Sequence, residues 1–174
     1  MGFAPPPRGY GVGMSQQTAE RGPGTTRHPV SRDLDARPDQ VFAVLGDGWL
    51  YPTWVVGAVR MRGVDPEWPS VGSRLHHSVG VWPLTVDDDT EVLLCEPGRR
   101  LVLQARGWPA GEATVDVHVE PLPHGRSRVT IAEDVSHGPG RLVPRPVRAL
   151  AVRVRNREVL RRLAFIAEGQ QSIG

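Results

Sequence analysis

Apolar and polar residues alternate with a period of two through most of residues 72–135, and the period changes to helical spacing near the C-terminus. The cleanest stretch sets Ala113, Val115, Val117 and Val119 against Thr114, Asp116, His118 and Glu120. A second sets Val129, Ile131 and Val135 against Thr130, Ala132 and Asp134. Both read as strands with one buried face. Further strands are predicted over Val59–Val64, Gly72–Trp82, Leu84–Glu96 and Leu101–Trp108, with loops at Asp65–Pro69 and Pro121–Arg126 and a turn at Pro97-Gly98. Val30–Asp35 alternates weakly and reads as the first strand.

Between the first two strands the pattern predicts a helix. Pro38 suits a first turn, Asp39 suits the positive end of the helix dipole, Val41, Phe42, Val44 and Leu45 form an apolar face, and Gly46 ends it. Residues 49–56 read as a second short helix or turn. At the C-terminus, Pro146 sits in a first turn, and Ala149, Val152, Val159, Leu160, Leu163, Ile166 and Ala167 fall on one helical face. Val147, Leu150, Ala151 and Val154 give the first half a second apolar side, so that half either packs on both sides or forms a separate short helix. The expected fold is α+β. A curved antiparallel sheet of six or seven strands wraps around a long C-terminal helix spanning at least Val152–Ala167, with two short helices after the first strand. Such a container usually encloses a cavity.

Composition narrows what the container does. The chain has 174 residues, 39% hydrophobic and 23% charged, enough for one domain with a sizeable core. Ten of the first 27 residues are Gly or Pro, so residues 1–28 are expected to be a disordered tail, followed by one domain over 29–168 and a short tail over 169–174. No apolar run approaches the roughly 18 residues of a membrane span, and the N-terminus lacks a signal-peptide core; the expected location is cytoplasmic. Cys95 is the single cysteine, which excludes an internal disulfide and reads as a small buried hydrophobe. There is no lysine, which excludes Schiff-base and P-loop chemistry. Charge is asymmetric: residues 29–135 carry ten Arg against sixteen Asp and Glu, whereas residues 136–174 carry eight Arg against Glu158 and Glu168.

The order of these pieces resembles the SRPBCC superfamily, which includes START-like domains, polyketide cyclase/dehydrase-like proteins and lipid-transfer relatives. The resemblance rests on Ala36–Asp47, Tyr51-Pro52-Thr53-Trp54, Val71-Gly72-Ser73-Arg74, Glu96–Leu101, and Arg155-Asn156 ahead of Leu160 and Leu163. It implies a helix-grip fold with an apolar pocket between sheet and helix. It fixes no activity, because the superfamily mixes enzymes, carriers and co-chaperones.

Polar residues on apolar faces are the candidates for chemistry. If Leu75, Val79 and Val81 face inward, period two carries His77 with them and sends His76 outside. If Val129, Ile131 and Val135 face inward, Glu133 does too, and Asn156 lies between Val152 and Leu160 on the helical stripe. Glu133 and His77 are therefore the catalytic candidates, for general acid–base work such as aldol cyclisation and dehydration. The other reading is that each is satisfied structurally, Glu133 by Arg155, Asn156 or His77. Trp54, His77, Val79, Leu103, Val117, Ile131, Glu133, Asn156, Leu160 and Leu163 are the expected pocket residues.

His76-His77 places two imidazoles on opposite faces, which is poor metal geometry, and Asp87-Asp88-Asp89 reads as a solvated strand edge or bulge. No metal and no cofactor are expected. The five tryptophans, at 49, 54, 68, 82 and 108, read mainly as core packing, with some at a pocket mouth. The partner expected is a hydrophobic small molecule. Nucleic acid is not expected, because base-stacking motifs are missing; the Arg-rich helix would allow transient contact with a membrane surface. Two functions stand open: a carrier or sensor of a lipid, polyketide or isoprenoid-like molecule, and a small cyclase/dehydratase-type enzyme acting on a polyketide or aromatic precursor. A protein-interaction module is a weaker third. An unpaired inward Glu133 would favour the enzyme, and a fully apolar pocket the carrier.

Overall fold

A computed structural model describes residues 29–81, 83–107, 111–137 and 144–169. The expected N-terminal tail, most of the expected C-terminal tail, Trp82 and Trp108 lie outside the described residues. Seven strands form one antiparallel sheet: β1 (Val30–Leu34), β2 (Ala58–Val64), β3 (Arg74–Val81), β4 (Leu84–Glu96), β5 (Arg100–Gly107), β6 (Gly111–Leu122) and β7 (Arg126–His137). The order across the sheet is β1-β7-β6-β5-β4-β3-β2. Strands β2 to β7 are therefore a meander, and β1 crosses over to close the far edge. The helices are α1 (Pro38–Gly46), α2 (Tyr51–Trp54), which follows a 3-10 turn at Gly48–Leu50, and α3 (Arg145–Gly169).

Local chemistry explains the joints. Pro38 opens α1, and the Gln40 side chain reaches back to accept from the Arg37 N–H at 2.8 Å, satisfying a donor ahead of the helix. The 3-10 turn is capped by Asp47, whose carboxylate accepts from the Trp49 N–H at 2.9 Å. Gly48 sits where a Cβ would lie 2.5 Å from Leu75 Cδ2 and 2.7 Å from Val64 Cγ1, so only glycine lets the chain pass this close to the sheet. Register shifts in β2 against β3, and in β4 against β5 at Val92/Leu94, add the local twist that lets a meander curve.

The core forms where α1 and the C-terminal half of α3 close on β1, β6 and β7. Leu34, Val41, Leu45, Val117, Val129 and Leu163 are buried there, each stabilising the fold by about 1.5–3 kcal/mol relative to exposure. α3 is one continuous helix, so the first half is not a separate element. Its second apolar side divides: Leu150, 64% exposed, and Val154 find no packing partner among the described residues, whereas Val147 and Ala151, though exposed, border a cavity between helix and sheet. No helix among the described residues is long and apolar enough to cross a membrane.

Candidate functional site

Toward the N-terminal half of α3 the helix and sheet diverge, and a cavity of about 440 Å³ opens between them. This lies within the range of small-molecule sites, roughly 300–1,000 Å³. The sheet contributes an apolar wall from Val79, Leu103, Ala105, Val115 and Ile131. α3 contributes Ala151, Val152 and Val159, and the segment from Trp54 to Ala58 forms another side.

Of the ten residues expected in the pocket, Trp54, His77, Val79, Leu103, Ile131, Glu133 and Asn156 line this cavity. Val117, Leu160 and Leu163 do not. They are fully buried in the solid core, further along β6 and α3, where α1 closes against the sheet. Their periodicity puts them on the inner face correctly; their depth along it puts them past the cavity floor.

The polar lining is more elaborate than the sequence pattern indicated. His77 faces Asp88 across β3 and β4, so both side chains project from the same side of the sheet. His77 Nε2 lies 2.9 Å from Thr90 Oγ1, and the Tyr51 hydroxyl meets the same oxygen at 3.2 Å. The Tyr51 ring lies 5.1 Å from the His77 ring and 5.3 Å, edge-on, from Trp54. Burial shifts all three titratable groups toward their neutral forms. It pushes the Asp88 carboxyl up to about 6, lowers His77 to about 4 and raises the Tyr51 hydroxyl to about 12.

Asp88 corrects the reading of the acidic triplet as a solvated edge. Asp87 and Asp89 do face outward, where Arg62 lies 3.3 Å from Asp87 and 3.7 Å from Asp89. Asp88 turns inward, is buried, and lines the cavity. Counting back by twos from buried Val92 through Thr90 reaches it, which is the signal that its charge concealed. His76 is on the outer face as expected, its Nδ1 2.8 Å from Asp89 and its Nε2 3.3 Å from Asp65; the Asp89 contact, opposed in part by burial, raises its pKa.

Glu133 is buried, its side chain 3% exposed, and is paired with Arg155 of α3, whose side chain is 41% exposed. Arg155 is the first of the three partners the sequence offered. Trp54 Nε1, His77 Nδ1 and Asn156 Nδ2 are buried and have no hydrogen-bond partner among the described residues. Among the other tryptophans, Trp68 packs against the core with Nε1 donating to the Leu45 carbonyl at 3.4 Å, whereas Trp49 is exposed. Cys95 is half-buried against the core, and burial pushes its thiol up, away from nucleophilic character. Among the described residues no group of three or more His, Cys, Asp or Glu is placed to hold a metal ion.

The family model described as polyketide cyclase/dehydrase and lipid transport matches residues 25–168. No curated protein matches the chain. Solved structures do. A protein from Rhodobacter sphaeroides is 27% identical at a TM-score of 0.64, covering 85% of this chain and 96% of its own. A protein from Nitrosomonas europaea is 16% identical at 0.62, covering 84% and 96%. Ara h 8.0201 is 12% identical at 0.64, covering 84% and 99%. At such identities the last two speak to the fold alone. The helix-grip architecture and the SRPBCC resemblance read from the sequence agree with these matches.

Proposed function

The chain belongs to the polyketide cyclase/dehydrase and lipid transport family, and from that premise we propose that its cavity binds a hydrophobic small molecule of lipid, polyketide or isoprenoid type, as carrier or sensor. The observation that carries this reading is the cavity of about 440 Å³, walled by Val79, Leu103, Val115, Ile131 and Val152 between sheet and helix. Such walls reward ligand burial at about 25 cal/mol per Å² of apolar surface removed from water. The Glu133–Arg155 pair adds support, because Glu133, one of the two catalytic candidates, is then engaged by an arginine and is not a free carboxylate. The test is native mass spectrometry of the purified protein, followed by extraction of any co-purified molecule, and titration with an environment-sensitive apolar dye. Saturable dye binding, displaced by the extracted compound, is the expected result. A protein that takes up no apolar probe would sink the proposal.

One observation favours the enzyme as a second reading. His77 and Asp88 face each other across adjacent strands, and both line the cavity. Asp88, brought up to about 6 and still mostly ionised at neutral pH, is a base able to take a proton from carbon next to a carbonyl. His77, held neutral, is a hydrogen-bond donor able to polarise that carbonyl. Together these are the two functions that the enolisation step of an aldol cyclisation requires. On this reading Asp88→Asn abolishes turnover of a ligand that still binds, and unchanged turnover removes it.

A further inference from the structure

We propose that Asp88 seats a protonated amine, so that the ligand of the cavity is an apolar amine: a hydrophobic body carrying one ammonium group. This rests on the cavity being a ligand site and names the group by which its ligand is held.

The cavity is incomplete in counter-charge. Its lining holds three acidic side chains, Asp88, Glu112 and Glu133. Glu133 is paired with Arg155. Glu112 lies 3.8 Å from Arg106 and accepts from the Gln104 amide at 3.4 Å. Asp88 forms no ion pair among the described residues. Its carboxylate accepts from the Asp89 N–H at 2.8 Å, a contact made within its own strand. Arg62 reaches only the backbone carbonyl of Asp88, at 3.4 Å, and its charge is spent on Asp87 and Asp89 on the outer face.

Position gives this gap its meaning. Asp88 is 8% exposed and stands opposite His77 on the inner face of the sheet. A carboxylate buried so far ordinarily has a cation or several donors beside it, and the other two acids of the lining each have an arginine. Burial brings Asp88 up to about 6, which leaves it mostly ionised at neutral pH. The cavity therefore presents an anion, set in a largely apolar wall, whose cation the described chain does not supply.

The chemistry of that cation follows. An ammonium brings both the charge and up to three donors to the carboxylate oxygens. A metal ion needs several ligands, and among the described residues no group of three or more His, Cys, Asp or Glu is placed to hold one. An anionic head group is repelled by Asp88, and the guanidinium of Arg155 is already engaged by Glu133. The apolar body is required by the rest of the lining, where Val79, Leu103 and Ile131 offer nothing to a small hydrophilic amine.

The experiment uses three naphthalenes of similar shape with the full-length chain at pH 7.5, by isothermal titration calorimetry. 2-(Aminomethyl)naphthalene carries the ammonium, 2-ethylnaphthalene is its neutral isostere, and 2-naphthoate carries the opposite charge. Without a waiting carboxylate, the amine would be the weaker ligand, since its ammonium loses water on entry. With one, it binds about tenfold tighter than the ethyl compound, and tighter still than the naphthoate. In Asp88→Asn the amine's advantage is lost while 2-ethylnaphthalene still binds. If amine and ethyl compounds bind alike, if the naphthoate binds tightest, or if the advantage survives Asp88→Asn, the amine seat is wrong and the ligand cavity stands. If none of the three binds, both fall together. The wild-type comparison decides the matter even if the variant fails to fold.

Discussion

Asp88→Asn is expected to stabilise this protein, and to do so only above mildly acidic pH. Burial raises the Asp88 carboxyl from 3.8 to about 6. Holding an ionised carboxylate in such a place costs the folded state about 3 kcal/mol at neutral pH and above. The sign follows from proton binding. Between about pH 4 and 6 the folded state holds this proton more tightly than the unfolded chain, so the contribution of Asp88 to stability falls as pH rises through that window. Asparagine keeps the acceptor oxygen that meets the Asp89 N–H at 2.8 Å and never ionises. At pH 8 the variant should therefore melt about 6–12 °C higher than wild type for a chain of this size. At pH 4 the two should melt together. His77 works the other way. Its pKa falls from 6.5 to about 4 through burial, so the unfolded chain protonates first and stability is lost as pH falls between those values. In wild type the two trends oppose one another; in Asp88→Asn only the histidine remains, and the variant should lose stability more steeply on acidification. Circular-dichroism melts at half-unit pH steps from 4 to 8 measure all of this. A variant less stable than wild type at pH 8, or more stable by the same amount at every pH, would refute the reasoning.

The Glu133–Arg155 pair should break asymmetrically. Arg155→Met strands a carboxylate that is 3% exposed and should cost about 2–3 kcal/mol, whereas Glu133→Gln leaves a guanidinium that water reaches and should cost about 1 kcal/mol; urea titrations giving the reverse order would contradict this. If Glu133 only anchors the helix, Glu133→Gln lowers the melting temperature and leaves dye affinity unchanged; weaker dye binding at unchanged stability would assign it to the ligand. Gly48→Ala should destabilise by about 1–3 kcal/mol through overpacking against Leu75 and Val64, and unchanged urea midpoints would show that the turn can move. Transient membrane contact through α3, proposed from exposed Val147, Leu150 and Val154 beside exposed Arg153 and Arg157, predicts co-sedimentation with phosphatidylglycerol vesicles at low salt. Arg153→Glu/Arg157→Glu should reduce it, at about 1 kcal/mol per arginine, and equal binding of variant and wild type would end the idea.

The inner face of the sheet was legible in the sequence because one parity carries it. Val115 and Val117 on β6, and Val129 and Ile131 on β7, fix which side faces the helix, and His77 and Glu133 follow by counting in twos. What period two cannot supply is depth. Val115 and Val117 share a face, yet one lines the cavity and the other is sealed beneath α1. That difference depends on where the helix lifts away from the sheet. Asp88 escaped for another reason. Three consecutive aspartates carry the pattern of a solvated edge, and their charge masks the parity set by Val92 and Thr90. On α3, helical spacing named both apolar sides but not which one finds a partner; only the inner side has a sheet to meet.

The polar residues of the cavity are placed against the interest of the fold. His77, Asp88 and Glu133 occupy inward strand positions where β-branched apolar residues would pack at lower cost, and their neighbours Val79, Val115 and Ile131 are of that kind. Two of the three are held away from their ordinary protonation behaviour by burial, and the third requires an arginine from the helix. Local departures from what stability favours concentrate where a protein does something else. Here they concentrate on one cavity, together with the three unpartnered buried nitrogens. A container for greasy cargo alone would need none of them. Their grouping therefore argues for a lining that orients what it holds. It also locates the line between carrier and enzyme at His77 and Asp88: if a ligand's reactive group sits within reach of both, the same lining that orients it is equipped to move its protons.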